Sequence, residues 1–164
     1  MSYAKNLQYI LVALLLVWPH AAQAQQVDEF GRQIVDVANR YTAAISAARL
    51  CAQYTFKDKS QEADFNSNRE LSRLYASRIF IKAFPGKPLT ALIGQAEKMD
   101  RNMEAKIAGL HADKGCSGEL FQVFLNWFQQ MKELPRAPYP KPNVSDADFQ
   151  TMASRWLKLN DQPR

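Results

Sequence analysis

Residues 30–51 read FGRQIVDVANRYTAAISAARLC. Apolar side chains recur at Phe30, Ile34, Val37, Tyr41, Ala44, Ala48 and Cys51. The steps alternate between four and three residues, which places them on one face of an α-helix. The spacing predicts a helix over about residues 28–54. Gly31 weakens its first turn and points to a later start. Cys51 sits at the edge of the apolar stripe, where a disulfide would fasten the core side of the helix to a neighbour.

The same period returns further along the chain, and strand-like alternation does not. Thr55 to Asn68 is polar and reads as the first connection. Ser67 and Glu70 have capping-box spacing, so a second helix is expected from Asn68 to Ala83. The stretch 84–88, Phe-Pro-Gly-Lys-Pro, ends it, because proline and its predecessor both resist helical geometry. A third helix follows over Pro88 to Ala112, with Leu89, Leu92, Ala96, Met99, Met103, Ile107 and Leu110 facing the core. Gly115 offers a left-handed stop, and Ser117 offers a cap for a fourth helix over Gly118 to Glu133. That fourth segment is apolar almost all round, as expected of a central helix or half an interface. Residues 134–143 hold four prolines and read as an extended, partly polyproline-like connection. Ser145 and Asp148 then cap a last helix that runs to about Leu159. The predicted fold is all-α: an exported bundle of four to five helices with one disulfide.

Residues 1–24 read as an address and residues 25–164 as a single helical domain, with 135–143 as its proline-rich connection. Tyr9 to Trp18 is an unbroken apolar run of ten residues. Crossing a membrane takes about 20, so the run suits the core of a secretory signal. Ala22-Gln23-Ala24 supplies the small-x-small pattern a signal peptidase reads, which predicts cleavage between Ala24 and Gln25. The remaining 140 residues lose Lys5, so the charge falls from +5 to +4. They keep about 43% apolar residues, enough for one core. The expected location is periplasmic or secreted, with no integral membrane segment after cleavage. Export gives the cysteines a meaning. Cys51 and Cys116 are the only pair in the chain, and an oxidising compartment predicts a bond between them.

Few residues suggest chemistry. Phosphate loops, dinucleotide fingerprints, nucleophile elbows, paired metal histidines and haem attachment motifs are absent from the sequence. His111 is the only imidazole after the leader, and Glu119, next to the aromatic fourth helix, is the one carboxylate to shortlist. Neither has a partner at a recognisable catalytic spacing. No cofactor and no metal are expected, and the modest charge after export argues against nucleic acid. Three residues stand out as candidate contacts. Arg78 falls amid Leu71, Leu74, Tyr75 and Ile81, where a cation needs a carboxylate or an anionic ligand, or else snorkels to the margin. Phe80 points to the opposite side with Arg69 and Arg73, towards a partner or under the last helix. Tyr139 lies in the proline segment, which is either a contact surface or a strap over the fourth helix.

The expected function is that of a small exported protein acting by protein–protein interaction, as an accessory factor, inhibitor or chaperone. Its partner would be an unidentified protein of the cell envelope. A small-ligand binder that uses an inter-helix cavity with Arg78 as anion anchor is the alternative, and a cell-envelope enzyme the weakest reading. Mass spectrometry of the exported protein should show a chain that begins at Gln25 and is two protons lighter than the dithiol. Free thiols under denaturing, non-reducing conditions would defeat the disulfide reading.

Overall fold

The computed structural model describes residues 27–140 and 144–161. The expected leader over residues 1–24, the expected Ala24–Gln25 cleavage junction and residues 141–143 of the proline segment lie outside them. Five α-helices make up the described chain, with no strand among the described residues. They are α1 (Glu29–Leu50), α2 (Lys59–Ala83), α3 (Leu89–Lys114), α4 (Glu119–Met131) and α5 (Asp146–Asn160). A short 3-10 turn, Gly115–Ser117, joins α3 to α4. None of these helices is long and apolar enough to cross a membrane.

α1 starts at the beginning of its periodic stretch despite Gly31. The Asp28 carboxylate accepts the Gly31 N–H at 2.7 Å and caps the first turn. A Cβ at position 31 would stand 2.7 Å from Val27 and 2.9 Å from Ile79, so only glycine lets α2 approach this closely. The helix is also more deeply placed than a single apolar face implies. Every residue from Tyr41 to Ala48 is buried, Thr42 and Ser46 included. Four alanines in that stretch keep the helix slim, and the Ser46 hydroxyl donates to the Thr42 carbonyl at 2.7 Å. α1 consequently packs against each of the other four helices.

Two core clusters meet on α1. One joins Ile34, Val37, Tyr41, Ala44 and Ala48 to α2, the end of α4, the strap and α5. The other joins Ala43, Ala47 and Cys51 to Met103 and Ile107 of α3 and to Phe121, Phe124 and Leu125 of α4. The first is knitted by aromatic contacts. Phe65 meets Tyr41 at 5.3 Å and Phe128 at 5.6 Å, and Phe56 meets Phe128 at 5.1 Å between ring centroids. Such tilted and edge-on pairs each add about 0.5–1.5 kcal/mol beyond the area they bury.

Two sequence expectations need correction. The connection assigned to Thr55–Asn68 is much shorter, because α2 begins at Lys59. Its cap is Asp58, whose carboxylate accepts the Gln61 N–H at 2.9 Å, while the Gln61 side chain reaches back to the Lys57 N–H at 2.7 Å. Ser67 and Glu70 therefore lie within a helix, and their capping-box spacing is incidental. Ser117 does not cap α4. Its hydroxyl donates to the Lys114 carbonyl, and Gly118 occupies the cap position without a side-chain bond. Gly115 does end α3 with a positive φ of 61°, and the Ser145 hydroxyl does accept the Asp148 N–H at 3.1 Å to cap α5.

The proline segment is bonded to α2 and shares a core cluster with the end of α4. Asn68, buried at 1% exposure, donates from Nδ2 to the Pro135 carbonyl at 3.1 Å and accepts the Ala137 N–H at 2.9 Å. One amide thus satisfies both backbone groups of an extended stretch that has no ladder of its own. Leu134 and Ala137 enter the core beside it. Asn68→Ala should lower stability by about 2–4 kcal/mol in urea unfolding, because it leaves two backbone groups without partners. A change under 1 kcal/mol would show that the strap is held by other means.

Candidate functional site

An apolar opening in the fold follows from the turn at residues 84–88. Gly86 there takes a φ of 93°, and α3 leaves the turn at an angle that brings only Met103 and Ile107 into the buried core. The N-terminal half of α3 stands off from α1 and α2. The gap is a cleft of about 290 Å³, walled by Val35 of α1, Phe80 and Ile81 of α2, and Leu92, Ile93 and Met99 of α3. Ile81, Leu89 and Ile93 line it and remain 49%, 56% and 49% exposed. Two charges on the polar side of the cleft are paired. Arg73 of α2 pairs with Asp100 of α3, and the Thr42 hydroxyl donates to Asp100 at 3.4 Å.

Phe80 belongs to this cleft and stacks on Phe84, at 6.5 Å between centroids. The residues that line the cleft with it come from α1, α2 and α3. The neighbour on that side is α3, to which Arg73 is paired. Arg69 lies half-buried near Arg73 and Arg49. Burial, reinforced by these two cations, holds its pKa below the ordinary arginine value.

Arg78 faces another way. Its Nη2 donates to the Val144 carbonyl at 2.9 Å and to the Asp146 carboxylate at 3.1 Å, and its guanidinium lies 4.5 Å from the centre of the Phe149 ring. Lys82 reaches the other Asp146 oxygen at 3.2 Å. Bonds from Lys82 and Arg78 hold the Asp146 carboxyl below the usual carboxylate range. The whole group clasps the N-terminus of α5 to α2. The cation lining the inter-helix cleft is therefore Arg73, not Arg78.

Tyr139 is 43% exposed, and its hydroxyl lies 3.2 Å from the Ser67 carbonyl and 3.1 Å from the Glu70 carboxylate. Desolvation first, and the bond to Glu70 next, raise its pKa. Its hydroxyl thereby fastens the strap to α2. Cys51 and Cys116 are bonded, which ties the C-terminal end of α1 to the joint between α3 and α4. His111, in the last turn of α3, places Nε2 3.5 Å from the Cys116 sulfur and its ring 5.3 Å from that of Phe121. Glu119 is exposed in the first turn of α4.

No family model, curated protein or solved structure matches this chain. The site thus rests on geometry alone. The cleft escaped the sequence reading because its α3 residues share the helical face of Met103 and Ile107 and look equally core-bound. The one available signal was the proline–glycine break just before them.

Arg78→Met should cost about 1 kcal/mol at pH 7 from the lost Val144 bond and ring contact. The ion pair adds to that loss with a definite pH dependence. Asp146 has a lowered folded pKa, so its contribution is complete above the ordinary carboxylate value and disappears as pH falls through the lower folded value. Urea unfolding at pH 7 and pH 3 should show the gap between variant and wild type narrow at acid pH without closing. A gap that widens at pH 3 would contradict this account.

Proposed function

We propose that this protein works in the cell envelope by binding another protein, with the cleft between α1, α2 and α3 as its contact surface. The observation that carries the reading is the trio Ile81, Leu89 and Ile93, half exposed along a cleft with apolar walls. Contiguous apolar surface of this kind marks interaction sites more often than chance. An apolar helix or extended segment of a partner suits it, because the Arg73–Asp100 pair already neutralises the polar side. The same pairing supports a non-enzymatic role, since neither charge stands ready for acid–base work. The location rests on the leader pattern at residues 1–24 and on the disulfide.

A second reading has one observation in its favour. A volume of about 290 Å³ lies at the lower end of small-molecule pockets, so a small apolar ligand is the alternative occupant. In that case Arg78 is not its anchor, since its guanidinium is engaged with α5.

One comparison separates these readings. Wild type, a Leu89→Glu/Ile93→Glu double variant and a Lys106→Glu control are used to capture proteins from envelope extract, and each is also weighed by native mass spectrometry. A protein held by wild type and control but lost at least tenfold by the double variant supports the contact surface. Added small-molecule mass that the double variant loses supports the ligand reading. Equal behaviour of all three chains refutes both uses of the cleft.

A further inference from the structure

We propose that Cys51, Cys116 and His111 form a zinc-type metal site once their disulfide is reduced, so that one cluster holds either a covalent bridge or a cation. The three donor atoms, two sulfurs and one imidazole nitrogen, all lie within 4.8 Å of one another. They come from three separate places: the C-terminal end of α1, the 3-10 turn after Gly115, and the last turn of α3. This convergence is tertiary and cannot be read from spacing.

The geometry suits tetrahedral zinc. Bonds of about 2.3 Å to sulfur and 2.0 Å to nitrogen put the two donors about 3.6 Å apart. Nε2 of His111 and the Cys116 sulfur already stand 3.5 Å apart. The sulfurs must separate to about 3.8 Å for the same geometry, which rotation about the Cα–Cβ bonds can supply while the Cα atoms stay near their 6.1 Å spacing. Phe121 packs on the imidazole and limits its rotation. Cys116 and His111 are partly buried while Cys51 is 2% exposed. The open side leaves room for water as fourth ligand, and the Cys116 sulfur is the one a reductant meets first.

The chemistry balances with a dithiol as the reductant. Its thiolate attacks the Cys116 sulfur and releases the Cys51 thiolate. Its second thiol then resolves the mixed disulfide. The dithiol becomes a disulfide, and two electrons and two protons pass to Cys51 and Cys116. Zinc displaces both protons to solvent, and neutral His111 supplies a lone pair. Two thiolates cancel the charge of the cation, so the occupied cluster is neutral and inexpensive to keep half-buried. The reverse exchange with a disulfide oxidant, which takes up the two electrons and becomes a dithiol, restores the Cys51–Cys116 bond and releases the metal.

The test uses the purified protein, reduced anaerobically by a phosphine that adds no thiol ligands, and titrated with Co²⁺ and then Zn²⁺. One equivalent of Co²⁺ should give tetrahedral bands with sulfur-to-metal charge transfer, and Zn²⁺ should displace it. The oxidised protein should show neither effect. Cys51→Ser/Cys116→Ser should abolish the bands, and His111→Ala should weaken zinc binding at least tenfold. Absence of thiolate bands in the reduced wild type, or equal zinc affinity in His111→Ala, would overturn the proposal. If reduction loosens the helices, zinc must restore the helical signal of the oxidised protein; failure to do so also overturns it.

Discussion

Burial of α1 on every side between Tyr41 and Ala48 is the constraint on which the rest of the structure depends. A helix enclosed in this way needs neighbours on both flanks, and small side chains to let them approach. Ala43 and Ala47 serve one core cluster while Ala44 and Ala48 serve the other. Because α1 touches all four remaining helices, it sets where each of them can lie. The disulfide acts at the end of this same element. By closing a separation of 65 positions it removes about 4 kcal/mol of unfolded-chain entropy in the loop-closure picture, and it ties α1 to the α3–α4 joint where α3 is most firmly packed.

The cleft is the other side of that arrangement. α3 is anchored near its C-terminal end by Met103, Ile107 and the disulfide joint, and its opposite end is turned outward by the proline–glycine break. An apolar face longer than its contact with the bundle leaves a remainder, here Leu89, Leu92 and Ile93. The Arg73–Asp100 pair bridges α2 and α3 where they diverge. The charged side chains of α2 thus divide their roles by helical face: Arg73 holds α3 and Arg78 holds α5.

Much of this was legible before the fold. Helical periodicity located all five helices, and Pro85, Gly86 and Gly115 marked two of their ends. The errors share a physical origin. The polar run 55–68 hid the first turns of α2 because surface helix and loop are both hydrophilic, and Phe65 alone gave no period. The Asp58–Gln61 spacing, with Asp58 capping the Gln61 N–H and Gln61 reaching the Lys57 N–H, was the signal that could have corrected it. Phe80 stays open in the sequence between a partner and the last helix, because a single helical face shows which side is apolar but not which neighbour meets it. The proline segment reads in the sequence as either a contact surface or a strap over α4, because spacing does not show what an extended stretch bonds to. Asn68, a buried polar residue of α2, holds it together with the Tyr139 hydroxyl.

By itself the sequence determined the helical class, the unique cysteine pair and the apolar faces that demand burial. Those properties depend on local spacing and on counting, which the chain carries without reference to its fold. Tertiary structure alone decided which faces meet, which apolar residues remain uncovered, and that His111 stands beside the disulfide. Each of these depends on the relative placement of helices far apart in the chain. That placement comes from how side chains of particular sizes pack around α1, which no residue spacing records.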